Sequence, residues 1–289
     1  MVTGWRRFVT RGRGLTASAV SYGATFTCKA RTTMTQTLIN SQQADGIAWI
    51  TLDRAEKKNA LSNSLLDQLN VALDDAMASQ SIRAVVLSGA GNCFCAGRDT
   101  SEFGRDASLQ DGSLDVNQAG FLKALSTLSD CAKPTIAMVH GFAFGGGQAM
   151  TLACDFVVAE RYARFGNVEM AHGFPAAMNI ALLAKHLGRR IGLEIAVSGD
   201  VYSAERYYEL GLVNRLAEAG TLRETTDTFA TMLASRAQWA VARTKTSFRV
   251  AEDLTLSSGL HMGGQLNQLL MLMSQTQPVH AGVHKAKKD

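Results

Sequence analysis

The chain has 289 residues, of which 46% are hydrophobic and 19% are charged, as is usual for a globular protein. Its apolar runs are all shorter than the ~20 residues of a membrane-spanning helix, so the sequence predicts no membrane span. The net charge of +4 arises from six basic residues in the acid-free segment 1–33, and the remaining 23 basic and 25 acidic residues argue against a nucleic-acid partner.

Residues 1–33 are predicted to lie outside the fold, and two interpretations of them stand. Their content of arginine, serine and threonine without acids is typical of a mitochondrial transit peptide. The other interpretation is an upstream start codon with the protein beginning at Met34, because the segment shows little amphipathic helical periodicity. The expected compartment is the cytoplasm, or the mitochondrial matrix if this segment is a transit peptide.

The first half of the chain alternates between strand and helix patterns. GIAWITLDR (46–54) alternates as a strand does, and residues 59–79 repeat apolar side chains every four positions, which marks one face of a helix. RAVVLSGAG (83–91) is a continuous apolar run that ends in glycine, typical of a strand buried on both sides. A polar loop (92–115) follows, and residues 116–132 return to helical spacing.

The second half opens with another buried strand, KPTIAMVHG (133–141), followed by the glycine-rich segment GFAFGGGQAM (141–150). A short helix and then the strand DFVVAE (155–160) come next, and from about residue 176 onward the patterns are mostly helical. Repeated alternation of apolar strands with helices predicts an α/β fold with much parallel pairing.

The four glycines of residues 141–150 need a physical reason, because glycine is entropically unfavourable in a folded chain. The segment has neither the GxxxxGK[ST] pattern of a phosphate-binding loop nor the GxGxxG spacing of a dinucleotide site. An oxyanion hole fits better: a backbone N–H at a helix N-terminus points at a carbonyl oxygen that becomes negative. A second donor is expected from CFCAGRD (93–99), which also follows a buried strand, so that both loops meet at the carboxyl edge of the sheet.

Together these segments resemble the enoyl-CoA hydratase/isomerase (crotonase) superfamily over about residues 36–250. The resemblance rests on NCFCAGRD and on KPTIAMVHGFAFGGGQAMTLACDFVVAERYARFGNVE, with support from ITLDRAEKKNALS and LGRRIGLEIAVSGDVYSAERYYELGLVNRL. It implies an α/β fold, a crotonase-like spiral of repeated ββα units over residues 34–205, and an oligomer-forming C-terminal helical region over residues 206–289. It also implies a homotrimer or a dimer of trimers.

The ligand that the resemblance implies is an acyl-CoA thioester whose carbonyl lies between two backbone N–H donors. Matched by motif, these donors are Ala96 in FCAGRD and Gly146 in the middle of GGG. They stabilise an enolate of the thioester. The adjacent Gly97 and Gly145 are expected to contact the substrate, because small residues allow its close approach.

The CoA nucleotide is expected near Asp99, Lys57 and Lys58, which lie where family members hold it. For the two lysines a solvated charge run is an equally good interpretation. Coenzyme A is part of the substrate, so no separate cofactor is implied. No metal site is predicted, since the five cysteines are scattered and form no CxxC pair.

The acid and base groups depart from the pattern of the family's hydratases, which generally use two glutamates. Here the first of those positions holds Ala149, and the second holds Glu169. A single carboxylate suits a proton shuttle that removes a proton from one carbon and returns it two carbons along, as in the family's 3-enoyl to 2-enoyl isomerases. The pattern therefore favours double-bond isomerisation through Glu169 over two alternatives, hydration with a different second group and acyl-CoA binding without catalysis.

Four further residues are candidates for auxiliary roles. His172 is either an auxiliary acid/base or a hydrogen-bonded structural histidine. Gln148 either positions a water molecule or serves as a structural amide near the helix terminus. Glu102 and Asp106, in the polar loop, are candidates for a second carboxylate.

Overall fold

The computed structural model describes residues 36–102 and 116–276, so the interpretations of residues 1–33 and the candidate Asp106 lie outside the described residues. Within these ranges the strands are β1 Ile39–Ala44, β2 Ile47–Leu52, β3 Ala84–Gly89, β4 Thr135–Val139, β5 Phe142–Phe144, β6 Phe156–Glu160, β7 Arg164–Gly166, β8 Val201–Ser203 and β9 Arg215–Ala217. The helices are α1 Asn63–Ala78, α2 Val116–Asp130, α3 Gly146–Ala153, α4 Ala177–His186, α5 Arg189–Ser198, α6 Ala204–Glu209, α7 Leu222–Ala234, α8 Gln238–Ala251 and α9 Leu256–Thr276.

The larger sheet has the strand order β1-β2-β3-β4-β6-β9. Every neighbouring pair in it is parallel except the hairpin of β1 and β2, which turns at Asp45 and Gly46, both with positive φ. The predicted parallel α/β arrangement is therefore confirmed for these strands. Strand β1 is an edge strand with one buried residue, so its polar sequence carries no apolar alternation that could have predicted it.

This sheet is covered on both faces, which explains the continuous apolar run of β3. Val85 and Leu87 pack in a core cluster with residues of α1, α2, α3 and α4, whereas Ala84 and Val86 pack in a second cluster with residues of α7. Alternate side chains of one strand thus enter different cores, and both sets must be apolar. Helix α1, which carries the leucine repeat, begins one residue after Ser62, whose hydroxyl accepts a hydrogen bond from the Leu65 N–H and caps the helix.

The smaller sheet, of strand order β5-β7-β8, positions the segments that carry the predicted site residues Gly146 and Glu169. Strand β5 pairs in parallel with β7, and β7 pairs antiparallel with β8. Each strand has three residues, too few for the sequence pattern to predict it. Because β5 leads into α3 and β7 leads into the turn at residues 168–172, this pairing brings the two segments side by side.

The C-terminal region contributes to the core as well as to the surface. The expected division between residues 205 and 206 falls inside α6, and strand β9 and helix α7 complete the larger sheet and its cover. Helices α8 and α9 instead expose large apolar side chains, among them Trp239, Phe248 and Leu260. The expected oligomer stays a prediction. None of the described helices combines the length and apolar character needed to cross a membrane.

Candidate active site

The turn between β5 and α3 is built around Gly145. Its backbone has φ +48° and ψ −114°, a conformation that side chains with a Cβ strongly disfavour. Its N–H donates to the carbonyl of Gly166, at the end of β7, at 2.9 Å. Gly146 is then the first residue of α3, where backbone N–H groups have no acceptor within the helix. Gly146 itself is half-buried.

The second glycine-containing loop lies against this turn, as the sequence predicts. Phe144 donates its N–H to the carbonyl of Cys95 at 3.0 Å, which joins β5 to the loop after β3. A Cβ on Gly97 would lie 3.0 Å from the Phe144 carbonyl oxygen and 3.3 Å from the Gly146 nitrogen. The two predicted donor loops therefore meet, and only a residue without a side chain fits at Gly97.

The N–H of Ala96 is engaged within the protein. It donates to the carbonyl oxygen of Lys58 at 3.0 Å, and Ala96 itself is half-buried. A thioester oxygen that accepts from this N–H must either share it with the Lys58 carbonyl oxygen or replace that oxygen as the acceptor. The Ala96 N–H thus already has an acceptor in the protein, whereas the Gly146 N–H, at the first residue of α3, has no acceptor within its helix.

Asn59 holds the loop that carries Ala96, and sequence reasoning did not single it out. Its buried side-chain amide donates to the carbonyl oxygens of Ala90 at 2.9 Å and Cys93 at 2.9 Å, and lies 3.2 Å from that of Phe94. Its side-chain oxygen accepts from the Arg54 N–H at 3.0 Å. An asparagine inside a turn of charged residues is the signal that could have indicated this role, since buried amides must be hydrogen-bonded.

Glu169 lies in a short 3-10 turn, Val168–His172, directly after β7. A Cβ on Gly145 would be 2.8 Å from Glu169 Oε2, so the carboxylate packs against the bare backbone of the glycine turn. Oε2 is buried, and no described residue offers it a hydrogen bond. Burial raises the pKa of this carboxyl above its usual range, and the hydrogen bond from its own backbone N–H offsets only part of the effect.

No second carboxylate is present at the position that the family's hydratases use. Ala149 is fully buried on α3, one turn after Gly145. Glu102 accepts a hydrogen bond from the backbone N–H of Asn63 at 2.8 Å and so provides an acceptor for one of the N–H groups in the first turn of α1. Glu169 is therefore the carboxylate that the described residues place at the glycine turn.

The two auxiliary candidates lie in different surroundings. Gln148 is fully buried, and its amide is hydrogen-bonded to three side chains, those of Tyr207, Asn167 and Asn179. The Gln148 amide is thus engaged with other side chains of the protein. His172 is exposed at the end of the 3-10 turn, three residues after Glu169.

The residues expected near the CoA nucleotide divide into exposed lysines and a paired aspartate. Lys57 and Lys58 are exposed in and just after a 3-10 turn. Asp99 instead forms an ion pair with Arg54 at 2.6 Å and accepts hydrogen bonds from Ser101. Burial alone would raise the pKa of Asp99, but the hydrogen bonds from Arg54 and Ser101 and the Arg54 charge outweigh it and hold the pKa at about 2.

We expect Asp99→Asn to lower the free energy of unfolding by about 2 kcal/mol at pH 7, because it leaves the largely buried Arg54 without its counter-charge. The pKa is depressed in the folded protein, so this stabilisation is present above about pH 4 and is lost as the pH falls toward 2. Urea denaturation at pH 7 and pH 3 measures the difference. Asp130→Asn, which breaks the exposed pair with Arg249, is the matched control and should have a much smaller effect; equal effects would contradict the expectation.

Comparison with known proteins decides the family. A family model described as enoyl-CoA hydratase/isomerase matches residues 42–285 of the chain. This chain belongs to the enoyl-CoA hydratase/isomerase family. It is accordingly an acyl-CoA enzyme of that family, and the resemblance inferred from the motifs is confirmed.

Relatives and solved structures agree with this assignment. The chain is 33% identical over 214 residues to the mitochondrial enoyl-CoA hydratase of Pongo abelii, covering 74% of this chain and 72% of that protein. It is 30% identical over 251 residues to the 2,3-dehydroadipyl-CoA hydratase of Escherichia coli, covering 86% and 94%. The crystal structure of an enoyl-CoA hydratase from Mycobacterium smegmatis matches with a TM-score of 0.76 and 28% identity over 84% of this chain and 93% of that one. The crotonase-like fold is thereby confirmed, whereas the compartment stays a prediction because mitochondrial and bacterial relatives both occur.

Proposed function

We propose that this member of the family moves the double bond of a 3-enoyl-CoA to give the 2-enoyl-CoA, with Glu169 as its single acid and base. The observation that carries the proposal is the position of Glu169 Oε2, which is buried against Gly145, the residue before the proposed Gly146 donor, and has no hydrogen-bond partner among the described residues. The alanine at position 149 supports it, because hydration normally divides its proton transfers between two carboxylates.

The reaction begins with the thioester oxygen at the glycine turn. In this proposal the Gly146 N–H donates to that oxygen, and the Ala96 N–H exchanges its bond to Lys58 for a bond to the substrate. Both donors oppose the negative charge that gathers on the oxygen once a proton leaves the neighbouring carbon. Removing one such donor typically raises the barrier by ~3 kcal/mol.

Glu169 performs both proton transfers. Its carboxylate takes a proton from C2, and the electron pair of that C–H bond spreads over a dienolate from the thioester oxygen to C4. The protonated Glu169 then returns the proton to C4, which leaves the double bond between C2 and C3 and regenerates the carboxylate. A raised pKa suits this cycle, because it makes the carboxyl a stronger base that still returns the proton.

Hydration is the second candidate function, favoured by the names of the relatives. The mitochondrial relative from Pongo abelii and the relative from Escherichia coli are both named hydratases. Addition of water would require a second acid/base group other than residue 149. Glu102 is tied to the start of α1, and Asp106 lies outside the described residues.

An assay with defined thioesters tests the choice. We expect the purified protein to convert a 3-enoyl-CoA to a 2-enoyl-CoA of unchanged mass. The absorbance of the conjugated thioester measures the conversion, and mass spectrometry checks the mass. Rapid gain of one water by crotonyl-CoA, with slow isomerisation, would overturn the proposal in favour of hydration. Binding of thioesters without any turnover would overturn it in favour of the non-catalytic alternative.

A further inference from the structure

Four buried polar side chains form a network behind the glycine turn. Tyr207 on α6 donates its hydroxyl to Gln148 Oε1 at 2.8 Å. Gln148 on α3 donates through Nε2 to Asn167 Oδ1 at 3.1 Å and lies 3.5 Å from Asn179 Oδ1 on α4. All four residues are at most 2% exposed. The network therefore joins three helices and the segment after β7 through side-chain contacts alone.

The network ends on the backbone next to both functional groups. Asn179 Nδ2 donates to the carbonyl oxygen of Gly145 at 3.0 Å, one residue before the Gly146 donor. Asn167 lies two residues before Glu169, and its carbonyl accepts the Met170 N–H that forms the 3-10 turn. The same cluster thus borders the oxyanion donor on one side and the carboxylate on the other.

The donors and acceptors of the network allow one consistent arrangement. The Tyr207 hydroxyl donates to the oxygen of Gln148, which orients the Gln148 amide so that its nitrogen faces both asparagine oxygens. Each asparagine then has its nitrogen free to donate onward, Asn179 to Gly145 and Asn167 to the carbonyl of Ile195. Reversing any one amide would place a donor against a donor or an acceptor against an acceptor. The buried polar groups would then lack hydrogen bonds, which destabilises the fold.

We propose that Asn179, oriented by Gln148 and Tyr207, is a positioning residue that sets the direction of the Gly146 N–H by holding the Gly145 carbonyl, an inference that rests on the proposed enolate chemistry at this turn. Three hydrogen bonds restrain the backbone of Gly145: its N–H donates to the Gly166 carbonyl, and its carbonyl accepts from the Ala149 N–H within α3 and from Asn179 Nδ2, both at 3.0 Å. Removing the Asn179 amide releases one of these restraints. An oxyanion donor is sensitive to such release, because small displacements of a positioned group lower rates by up to ~10²-fold.

The test compares Asn179→Leu with Asn70→Leu. Asn70 on α1 is also buried and donates through Nδ2 to a backbone carbonyl, that of Gly120, at 2.9 Å, so both variants lose an amide-to-carbonyl hydrogen bond, and Asn179→Leu also loses the 3.5 Å contact with Gln148 Nε2. We expect Asn179→Leu to lower kcat at least about 10-fold with little change in KM, because the oxyanion contact strengthens in the transition state. Asn70→Leu should keep kcat within about two-fold of wild type, at a comparable loss of thermal stability.

A readout that does not require turnover separates this inference from the proposed function. The infrared carbonyl stretch of a bound saturated acyl-CoA, labelled with ¹³C at the thioester carbon, reports how strongly the donors polarise it. We expect the shift to lower frequency in wild type to shrink in Asn179→Leu and to persist in Asn70→Leu. If wild type polarises the carbonyl but does not turn over any enoyl-CoA, the proposed function fails and the inference stands.

Tyr207→Phe provides a milder variant should Asn179→Leu not fold. It keeps the ring that stacks on Phe165 at 4.6 Å between centroids and removes only the hydroxyl that orients Gln148. We expect a smaller loss of kcat in the same direction, with a matching change in the carbonyl stretch. Folded variants at Asn179 or Tyr207 with wild-type kcat and wild-type carbonyl stretch would overturn the inference.

Discussion

Replacing Glu169 with glutamine is expected to lower kcat for double-bond isomerisation on the order of 10³-fold. Glutamine has nearly the same shape and fills the same space beside Gly145, but it neither accepts the proton from C2 nor delivers it to C4. Stopped-assay kinetics with a 3-enoyl-CoA measure the loss. Glu194→Gln, at an exposed position on α5, is the matched control and should retain wild-type kcat.

The pH profile links this loss to the environment of Glu169. Glu169 must be ionised to take the first proton, so kcat/KM should fall as the pH drops through the pKa of its carboxyl. Burial raises this pKa, so the fall should occur at a higher pH than the usual glutamate pKa of about 4.3. Burial also disfavours the charged form in the folded protein, so stability declines as the pH rises from about 4.3 through the raised pKa. Glu169→Gln removes that charge and should be at least as stable as wild type at pH 7. A variant that retains activity, or an acidic limb unchanged in Glu169→Gln, would contradict the assigned role.

Gly145→Ala is the second substitution with a large expected effect, a loss of ~10² to 10³-fold in kcat/KM. The new Cβ would lie 2.8 Å from Glu169 Oε2, closer than such atoms approach each other, and in tight contact with the carboxyl carbon at 3.3 Å. The φ of +48° at this residue adds backbone strain for any side chain. The clash displaces the Glu169 carboxylate and the backbone strain displaces the turn, so we expect both the proposed base and the proposed donor to move.

Activity measured beside thermal unfolding distinguishes this mechanism from general misfolding. Gly188→Ala is the matched control, because its φ is −67° and a Cβ there meets nothing within 4 Å. We expect the control to keep wild-type kcat/KM. Wild-type kcat/KM in Gly145→Ala would show that Glu169 and the glycine turn need not lie as close as they do here.

Local patterns along the chain were sufficient to predict the main strands and the glycine turn. The continuous apolar sequence of β3 predicts a buried strand, because both of its faces enter a core. The spacing of the leucines in α1 predicts a helix, because the buried leucines recur on one face. Strands β5, β7 and β8 gave no such signal, since three residues are too few to show a period. These short strands nevertheless decide that the turn after β5 and the turn after β7 lie side by side.

The candidate site divides in the same way between sequence and tertiary structure. Gly146, Glu169 and the alanine at position 149 could be singled out from the sequence, because the motifs that resemble the family carry over to these positions. The contact of Glu169 with Gly145 could not, since it depends on the parallel pairing of β5 with β7. Likewise the motif placed Asp99 near the expected CoA nucleotide but did not indicate its pairing with Arg54, which joins residues 45 positions apart.

By itself, then, the sequence determined the family, the glycine turn before α3 and the absence of a glutamate at position 149, since these depend on residue identity and local spacing. Only the tertiary structure decided which polar groups are buried and what they touch. Asn179 shows the difference: an asparagine within an apolar helix signals a buried amide, but its acceptor, the Gly145 carbonyl, lies 34 residues away. Hydrogen-bond partners and desolvation depend on distances in space, and these arise only when the strands and helices pack.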